Sequence, residues 1–433
     1  MNTIKFPPKQ DWAQILKRPT QSYNDLEQSV KSIFKDIQSH GDKAIQKYTE
    51  MFDGVKISNS VVSSNEFEAA SDLVSTGLKE AIKLAYNNIY KFHEAQKSNN
   101  LAKVETQPGV ICWQAKKPID SVGLYIPGGS APLFSSILML AIPAKIAGCK
   151  TVTLATPPQK DGSIHPAILY TAQLCGIKTV VKVGGIQAIA GFTFGTDSIP
   201  KAYKIFGPGN QYVTVAKQVA TTFDVAIDMP AGPSELLVMA DETAKPSFVA
   251  SDLLSQAEHG KDSQVVLVST DNSFIEAVKL ETEAQIEVLP RVEIAKAAIN
   301  NSKFILVNSF NEAAELINNY APEHFIVATK DNNFFIDHIH NAGSVFIGDF
   351  TPESAGDYAS GTNHTLPTNA YAKQYSGVNL DAFMKTITYQ EINQTGIKNI
   401  GVAVELMAEA EGLQAHKNAM SKRLEAIKES EKS

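Results

Sequence analysis

The 433-residue chain has few cysteines, no long apolar run and no excess of positive charge, and each shortage removes a class of protein. Its three cysteines, Cys112, Cys149 and Cys175, form no CxxC pair or close cluster, so a disulfide scaffold is excluded and reducing conditions fit. The most apolar stretch, Leu133 to Gly148, is interrupted by Ser135, Ser136, Pro143 and Lys145, and Met1 to Gln10 has no apolar signal core. A cytoplasmic protein without a membrane partner is expected. Lys plus Arg number 39 against 46 Asp plus Glu, for a net charge of -7, and no basic run tracks phosphates, so nucleic acid is not an expected partner. Two motifs are also missing. GxGxxG occurs nowhere, and His93-Glu94 is not followed by the second histidine of HExxH.

What is present is ordinary globular usage, 43% hydrophobic and 20% charged, at a length that suggests two or three domains at roughly 150 residues each. From Tyr23 to about Gln96, apolar residues such as Leu26, Val30, Ile33, Phe34 and Ile37 recur at helical spacing. Short strands are then predicted at 122–126, 151–155, 179–183 and 202–206, with helices between them. The alternation resumes at 236–239, 265–269, 304–307, 325–328 and 344–347. An α/β chain of two Rossmann-like, mostly parallel-sheet domains follows, with an N-terminal helical region and a C-terminal helical tail over roughly 401–429. The expected boundaries are an arm at 1–21, a helical region opening the metal and substrate domain at 22–121, and a nucleotide domain at 122–234. A second α/β domain spans 235–378 and the tail 379–433. Met229-Pro-Ala-Gly-Pro-Ser-Glu235 is the best hinge between the two α/β runs.

Five groups of residues carry chemistry. Gln256 and His259, at the end of a helix starting near Pro246, lie about 60° apart on one helical face and can reach a single ion. A histidine there equally satisfies backbone carbonyls. Glu323 and His324 follow Pro322: an imidazole suits taking a proton from an alcohol at neutral pH, and a neighbouring carboxylate suits acting on water. Adjacent strand residues point oppositely, so the pair shares one site only if the backbone turns at Pro322; a polar strand cap is the alternative. The segment Ser354 to Pro367 carries Asp357 and His364 after a strand, where loops at the C-terminal ends of parallel strands host chemistry, although turn propensity accounts for much of its composition. Glu411 and His416 lie about 140° apart on a helix and share no face unless Gly412 interrupts it; plain surface exposure is the other reading.

The fifth group is three glycine-containing turns, Tyr125 to Gly129, Gly184 to Gln187 and Gly207 to Asn210, each directly after a predicted strand. Such turns admit a ligand to the backbone at a helix N-terminus, and they also serve as ordinary tight connections. The cysteines read as small buried hydrophobes, since none has a neighbour that would depress its pKa.

Assembled in order, GlyLeuTyrIleProGlyGly from Gly123, GlyProGlyAsn from Gly207, GlyProSerGlu from Gly232, GlnAlaGluHisGly from Gln256, ProGluHis from Pro322, GlyAspTyrAlaSerGly from Gly356 and the Glu411 to His416 segment resemble the L-histidinol dehydrogenase family over essentially the whole chain. The resemblance implies NAD-dependent oxidation of L-histidinol through L-histidinaldehyde to L-histidine. It implies Gln256, His259, Asp357 and His416 as zinc ligands, and Glu323 and His324 as the acid–base pair. Ser234, His364 and Glu411 correspond to substrate contacts, together with the zinc ligands and His324; Tyr125, Gln187 and Asn210 correspond to NAD contacts. Ile186 stands where the family commonly has alanine. An intertwined homodimer is also implied, the tail of one chain reaching the site of the other. A thiol-dependent aldehyde dehydrogenase and a non-enzymatic metal- and nucleotide-binding regulator are the competing readings.

Overall fold

The structure is a computed structural model and describes residues 3–19, 24–97, 102–128, 131–230 and 232–432. Tyr23 at the start of the helical region, Gly129 of the first glycine turn and Ala231 of the expected hinge lie outside the described residues. In chain order the strands are β1 (Thr3–Lys5), β2 (Val104–Gln107), β3 (Val110–Pro118), β4 (Ser121–Tyr125) and β5 (Thr151–Thr156). β6 (Thr179–Lys182), β7 (Lys204–Phe206), β8 (Ala226–Ile227), β9 (Glu235–Ala240) and β10 (Gln264–Ser269) come next. β11 (Lys303–Leu306), β12 (His324–Ala328), β13 (Ser344–Ile347) and β14 (Met384–Ile392) complete the set. The chain divides into two compact units, one of Met1–Ala95 with Ile119–Phe383 and one of Gln96–Pro118 with Met384–Ser433.

The first unit contains two parallel sheets, ordered β6-β5-β4-β7-β8 and β1-β11-β10-β9-β12-β13. Apart from β1, the strand order of each sheet changes sides once, between its first strand and its fourth, while all strands stay parallel. The alternation in β9, β10, β11 and β12 explains how one sheet fills two layers. Leu236, Val238, Val265, Leu267, Phe304 and Ile326 join the helices Pro246–Ala257 and Asn272–Ile286 in one core. Leu237, Met239, Val266, Val268, Ile305 and Phe325 face the other way, onto Trp12, Leu316 and Tyr320.

On the other sheet, Val30, Ile33, Phe34 and Ile37 of the helix Asn24–His40 and Ala44, Ile45 and Tyr48 of Asp42–Asp53 share one core with Val181 and Ile205. The N-terminal helices thus cover the sheet of the expected nucleotide domain. The apolar stripe of Asn24–His40 and Asp42–Asp53 is buried against β6 and β7, while the helix Thr76–Ala95 reaches the other part of the unit, Asn88 Nδ2 donating to the Ala359 carbonyl at 2.8 Å.

The second unit is an antiparallel sheet, β14-β3-β2, followed by the helices Gln394–Ala410 and Gln414–Ser430. β3 pairs with β14 over nine positions, from Val110↔Ile392 to Pro118↔Met384. The single expected tail helix is therefore two helices. Gly412 separates them at φ +73°, a left-handed conformation that closes the first helix after its C-cap. Among the described residues no helix is long and apolar enough to cross a membrane.

Candidate active site

Two places in the first unit collect the residues singled out by sequence. One lies at the starting edge of β9 and β12, where His324 pairs in register with Leu236 and Ser344. The chain arrives there through Ala321, whose φ of +52° supplies the bend expected at Pro322. As a result Glu323 and His324 face one another, with Glu323 Oε2 3.7 Å from His324 Nδ1. Both are nearly sealed from solvent, at 7% and 4% exposure. Glu235 holds them from the neighbouring strand: its backbone N–H donates to Glu323 Oε2 at 2.9 Å, and its carbonyl accepts from His324 Nδ1 at 3.1 Å.

The other members arrive on returning helices. Asp357, on the helix Glu353–Tyr358, brings Oδ1 to 3.6 Å from His324 Nε2. His364 Nδ1 donates to the Asp357 carbonyl at 2.9 Å, and its Nε2 lies 3.1 Å from Ser136 Oγ. Gln256 closes the helix Pro246–Ala257, and its amide nitrogen lies 3.2 Å from Nδ1 of His259 just beyond the helix end. Gln256 Oε1 is buried without a hydrogen-bond partner. Ser234, half-buried, precedes Glu235 and accepts Gln264 N at 3.1 Å through its carbonyl.

Burial is the largest influence on these groups, and neighbouring charges decide where it prevails. It holds His259 and His364 below the ordinary imidazole value, hence neutral. Burial opposes the charge of Asp357 too, but the nearby imidazoles of His324, His364 and His259 outweigh it and keep the carboxyl below its usual range. Glu323 is pushed up to about 8 by burial, partly offset by His324 and the Glu235 N–H. For His324, burial is overridden by Glu353, Glu323 and Asp357, which raise it well above normal.

Glu353 carries no sequence signal, and the sequence reading misses it. It is 1% exposed, has both oxygens buried without partners, and sits 3.5 Å from His324 Nδ1. His324, Glu353 and Asp357 each bring one ligand atom within 4.8 Å of the others. Burial, however, pushes Glu353 well above the usual carboxylate range, so of these two carboxyls only Asp357 is favoured in the ionised form a cation needs. The set Gln256, His259 and Asp357 fits a cation better: an orphaned amide oxygen, a neutral imidazole and an ionised carboxylate are all in ligand-ready form.

The second place is an open cleft of about 1590 Å³ at the C-terminal edge of the β6-β5-β4-β7-β8 sheet, and it brings Tyr125, Gln187 and Asn210 together with Ile186. Tyr125 ends β4, and its hydroxyl accepts Gly185 N at 3.1 Å. Gly207, at φ +127°, crosses so near β4 that a Cβ there would lie 2.0 Å from Tyr125 O. The turn is clamped by Asp228 Oδ2, which accepts Gly207 N at 2.8 Å, and by Lys217 Nζ, which donates to Gly207 O at 2.9 Å. Asn210 then caps the helix Gln211–Ala220, its side chain accepting Tyr212 N and Val213 N. Asp53, a second residue without a sequence signal, accepts Gln187 Nε2 at 3.2 Å and is pushed up to about 6 by burial.

Glu411 and His416 are exposed and belong to the second unit, on either side of Gly412. Cys149 and Cys175 are pushed up to about 11 and about 12 by burial, which leaves them as thiols. His93 is a core histidine, 0% exposed, bonded to the Ile89 carbonyl at 2.9 Å and 3.3 Å from Asn363 Nδ2.

A buried carboxyl–imidazole pair beside oxygen and nitrogen donors, in a unit that also opens a large cleft at a strand-order reversal, defines an α/β enzyme built on two Rossmann-like sheets. The family model described as histidinol dehydrogenase matches residues 16–424. Histidinol dehydrogenase of Bacteroides thetaiotaomicron is 56% identical over 428 residues, covering 99% of this chain and 100% of that protein. The Escherichia coli enzyme of the same name is 50% identical, covering 96% and 95%. A crystal structure of histidinol dehydrogenase from Elizabethkingia anophelis superposes with a TM-score of 0.97 at 55% identity, covering 99% of each chain. The chain belongs to the histidinol dehydrogenase family, oxidoreductases of histidine biosynthesis.

Proposed function

We propose that the chain is an NAD-dependent, zinc-containing L-histidinol dehydrogenase that oxidises L-histidinol to L-histidinaldehyde and then to L-histidine. The observation that carries this reading is the meeting of Glu323 and His324 at 3.7 Å in a buried cluster with Asp357.

Gln256, His259 and Asp357 would hold zinc, joined by His416, and the bound ion would supply a fixed positive charge to which the substrate's imidazole and amine attach. NAD, in the cleft of Tyr125, Gln187 and Asn210, would accept the hydride at each oxidation. Ser234, His364 and Glu411 orient the substrate. His324 takes the hydroxyl proton as hydride leaves the carbinol carbon, giving the aldehyde. To act as a base it must be neutral, and it becomes so more readily once the charge of Asp357 is committed to a cation. Glu323, a stronger base than an ordinary carboxylate because of its burial, takes a proton from water as the water oxygen adds to the aldehyde carbon. His324 returns the proton it took in the first oxidation to the aldehyde oxygen, which completes the gem-diol and leaves His324 neutral again. The gem-diol then gives its hydride to a second NAD and its proton to His324, leaving the carboxylic acid.

His416 and Glu411 enter this site from a second copy of the chain, in an intertwined, cytoplasmic homodimer. In support, the second unit leaves Val402, Leu406, Met407 and Leu413 exposed, an apolar surface suited to a partner. The test is an NADH absorbance assay with histidinol, in which about two NADH should form per histidinol consumed. Absence of NADH from folded, zinc-loaded protein would refute the proposal. A mixture of His259→Ala and His416→Ala chains, refolded together, should regain activity; inactive heterodimers would place His416 in its own subunit.

A further inference from the structure

The acid–base pair is held by the backbone of Glu235, and the side chain of Glu235 is held from the far N-terminal end of the chain. Glu235 is 1% exposed. Arg18 grips its carboxylate with two bonds, Nε to Oε1 at 2.5 Å and Nη2 to Oε2 at 2.7 Å. The same Nη2 donates to the Tyr320 carbonyl at 2.7 Å, and the guanidinium lies 4.0 Å from the centre of the Tyr320 ring. Tyr320 OH in turn donates to Gln264 Oε1 at 3.0 Å, and Asn369 N donates to Glu235 Oε1 at 2.6 Å. The arm that presents Arg18 is itself fixed. β1 pairs with β11, and Trp12 is 3% exposed with its indole N–H on the Pro7 carbonyl at 3.0 Å.

We infer that Arg18 is a positioning residue for Glu323 and His324, acting through Glu235. This rests on the acid–base reading of that pair. A carboxylate buried this deeply is stable only while its countercharge is present, and removing one partner of a buried pair leaves the other uncompensated. Glu235 then relaxes by moving, and its N–H and C=O move with it. Those two groups are the 2.9 Å and 3.1 Å bonds that aim Glu323 and His324. Displacements near 1 Å at reacting groups cost on the order of 100-fold in rate. The nucleotide cleft includes neither Arg18 nor Glu235, so NAD binding stays out of the effect.

The experiment uses the full-length enzyme with Arg18→Ala, Arg18→Lys and, as controls, Glu323→Gln and His324→Gln. kcat and both KM values are measured at 25 °C, with the folded state checked by circular dichroism. Arg18→Ala should lower kcat roughly 10- to 100-fold with KM for NAD unchanged. Arg18→Lys should recover only part, because an ammonium cannot make the forked contact. Added guanidinium ion should raise the kcat of Arg18→Ala more than sodium chloride at equal ionic strength. A folded Arg18→Ala enzyme with the parent kcat overturns the inference, as does a loss expressed in KM for NAD. If Arg18→Ala does not fold, the isosteric Glu235→Gln reads the same coupling: lowered kcat at constant KM for NAD supports it, and unchanged kcat overturns it. Full turnover in the Glu323→Gln and His324→Gln controls would mark failure of the acid–base reading itself.

Discussion

The strands β6-β5-β4-β7-β8 and β11-β10-β9-β12-β13 run in the same order relative to their first members, β4 and β9, yet the two sheets use opposite edges. At the C-terminal edge of the first, the helices Gly185–Phe194 and Gln211–Ala220 begin, and their N-termini face a cleft with room for a ligand. Helix N-termini carry partial positive charge and free N–H groups, which suit phosphates. At the starting edge of the second, the helix Pro246–Ala257 ends, bringing Gln256 and His259 at its negative pole to Asp357 and Glu353. That pole, with the carboxylates, suits a cation. One topology therefore yields an edge suited to an anion or an edge suited to a cation, depending on which ends of its helices are furnished.

The comparison is broken most directly by removing the cation. Dialysis against a chelator should abolish turnover and zinc should restore it, while His259→Ala should lose most of its metal; metal-free protein with undiminished turnover would remove the reason for the second edge. A smaller effect separates the chemistry within that edge. Glu323→Gln should be slower when supplied with histidinaldehyde than in the first hydride transfer from histidinol, because only the second half-reaction needs activated water. Single-turnover NADH formation from each substrate reads this, and equal losses would contradict the assigned roles.

His93 sharpens the boundary of the edge. His93→Ala should cost about 2–4 kcal/mol in denaturant unfolding by emptying a core position, while zinc content measured by metal analysis stays at the parent level. The smallest effect belongs to the other edge. Asp53 has its folded pKa raised to about 6 from an ordinary 3.8, so its burial destabilises the fold once the group ionises. The folded state binds more protons between those values, and stability falls as pH rises through them. Asp53→Asn should therefore be more stable than the parent by about 1 kcal/mol at pH 7.5, a figure reduced for partial exposure, with the gain vanishing below about pH 4. A pH-independent difference in melting temperature would show that the carboxylate is not the cause.

Much of the first unit was legible because buried parallel strands announce themselves as short β-branched runs. Predicted strands at 151–155, 265–269 and 344–347 fall on β5, β10 and β13 within a residue. β1 was not legible, since three residues, Thr3–Lys5, hold no periodicity and find a partner only at Phe304. The same distance hides the β3 and β14 pairing. In the site, Gln256, His259, Glu323, His324, Asp357 and His364 were all named from motifs. The expectation that chemistry gathers at C-terminal strand ends, made for Asp357 and His364, was misplaced, because the helix carrying Asp357 returns to the starting edge. Glu353 and Arg18 escaped notice, and Glu235 was read only as part of a hinge and a motif, because burial and pairing, which decide their importance, are properties of the fold.

The pairing of Thr3 with Phe304 also sets an order in time. The ribosome releases β1 well before its docking edge, which follows about 300 residues later, at 5–20 residues per second roughly 15–60 s. Arg18 waits as well, for Glu235 and the Tyr320 carbonyl. A nascent chain halted before Leu306 should therefore carry the β1 arm open to protease, although the β6-β5-β4-β7-β8 sheet has by then been synthesised. Residues made early are among the last to be placed.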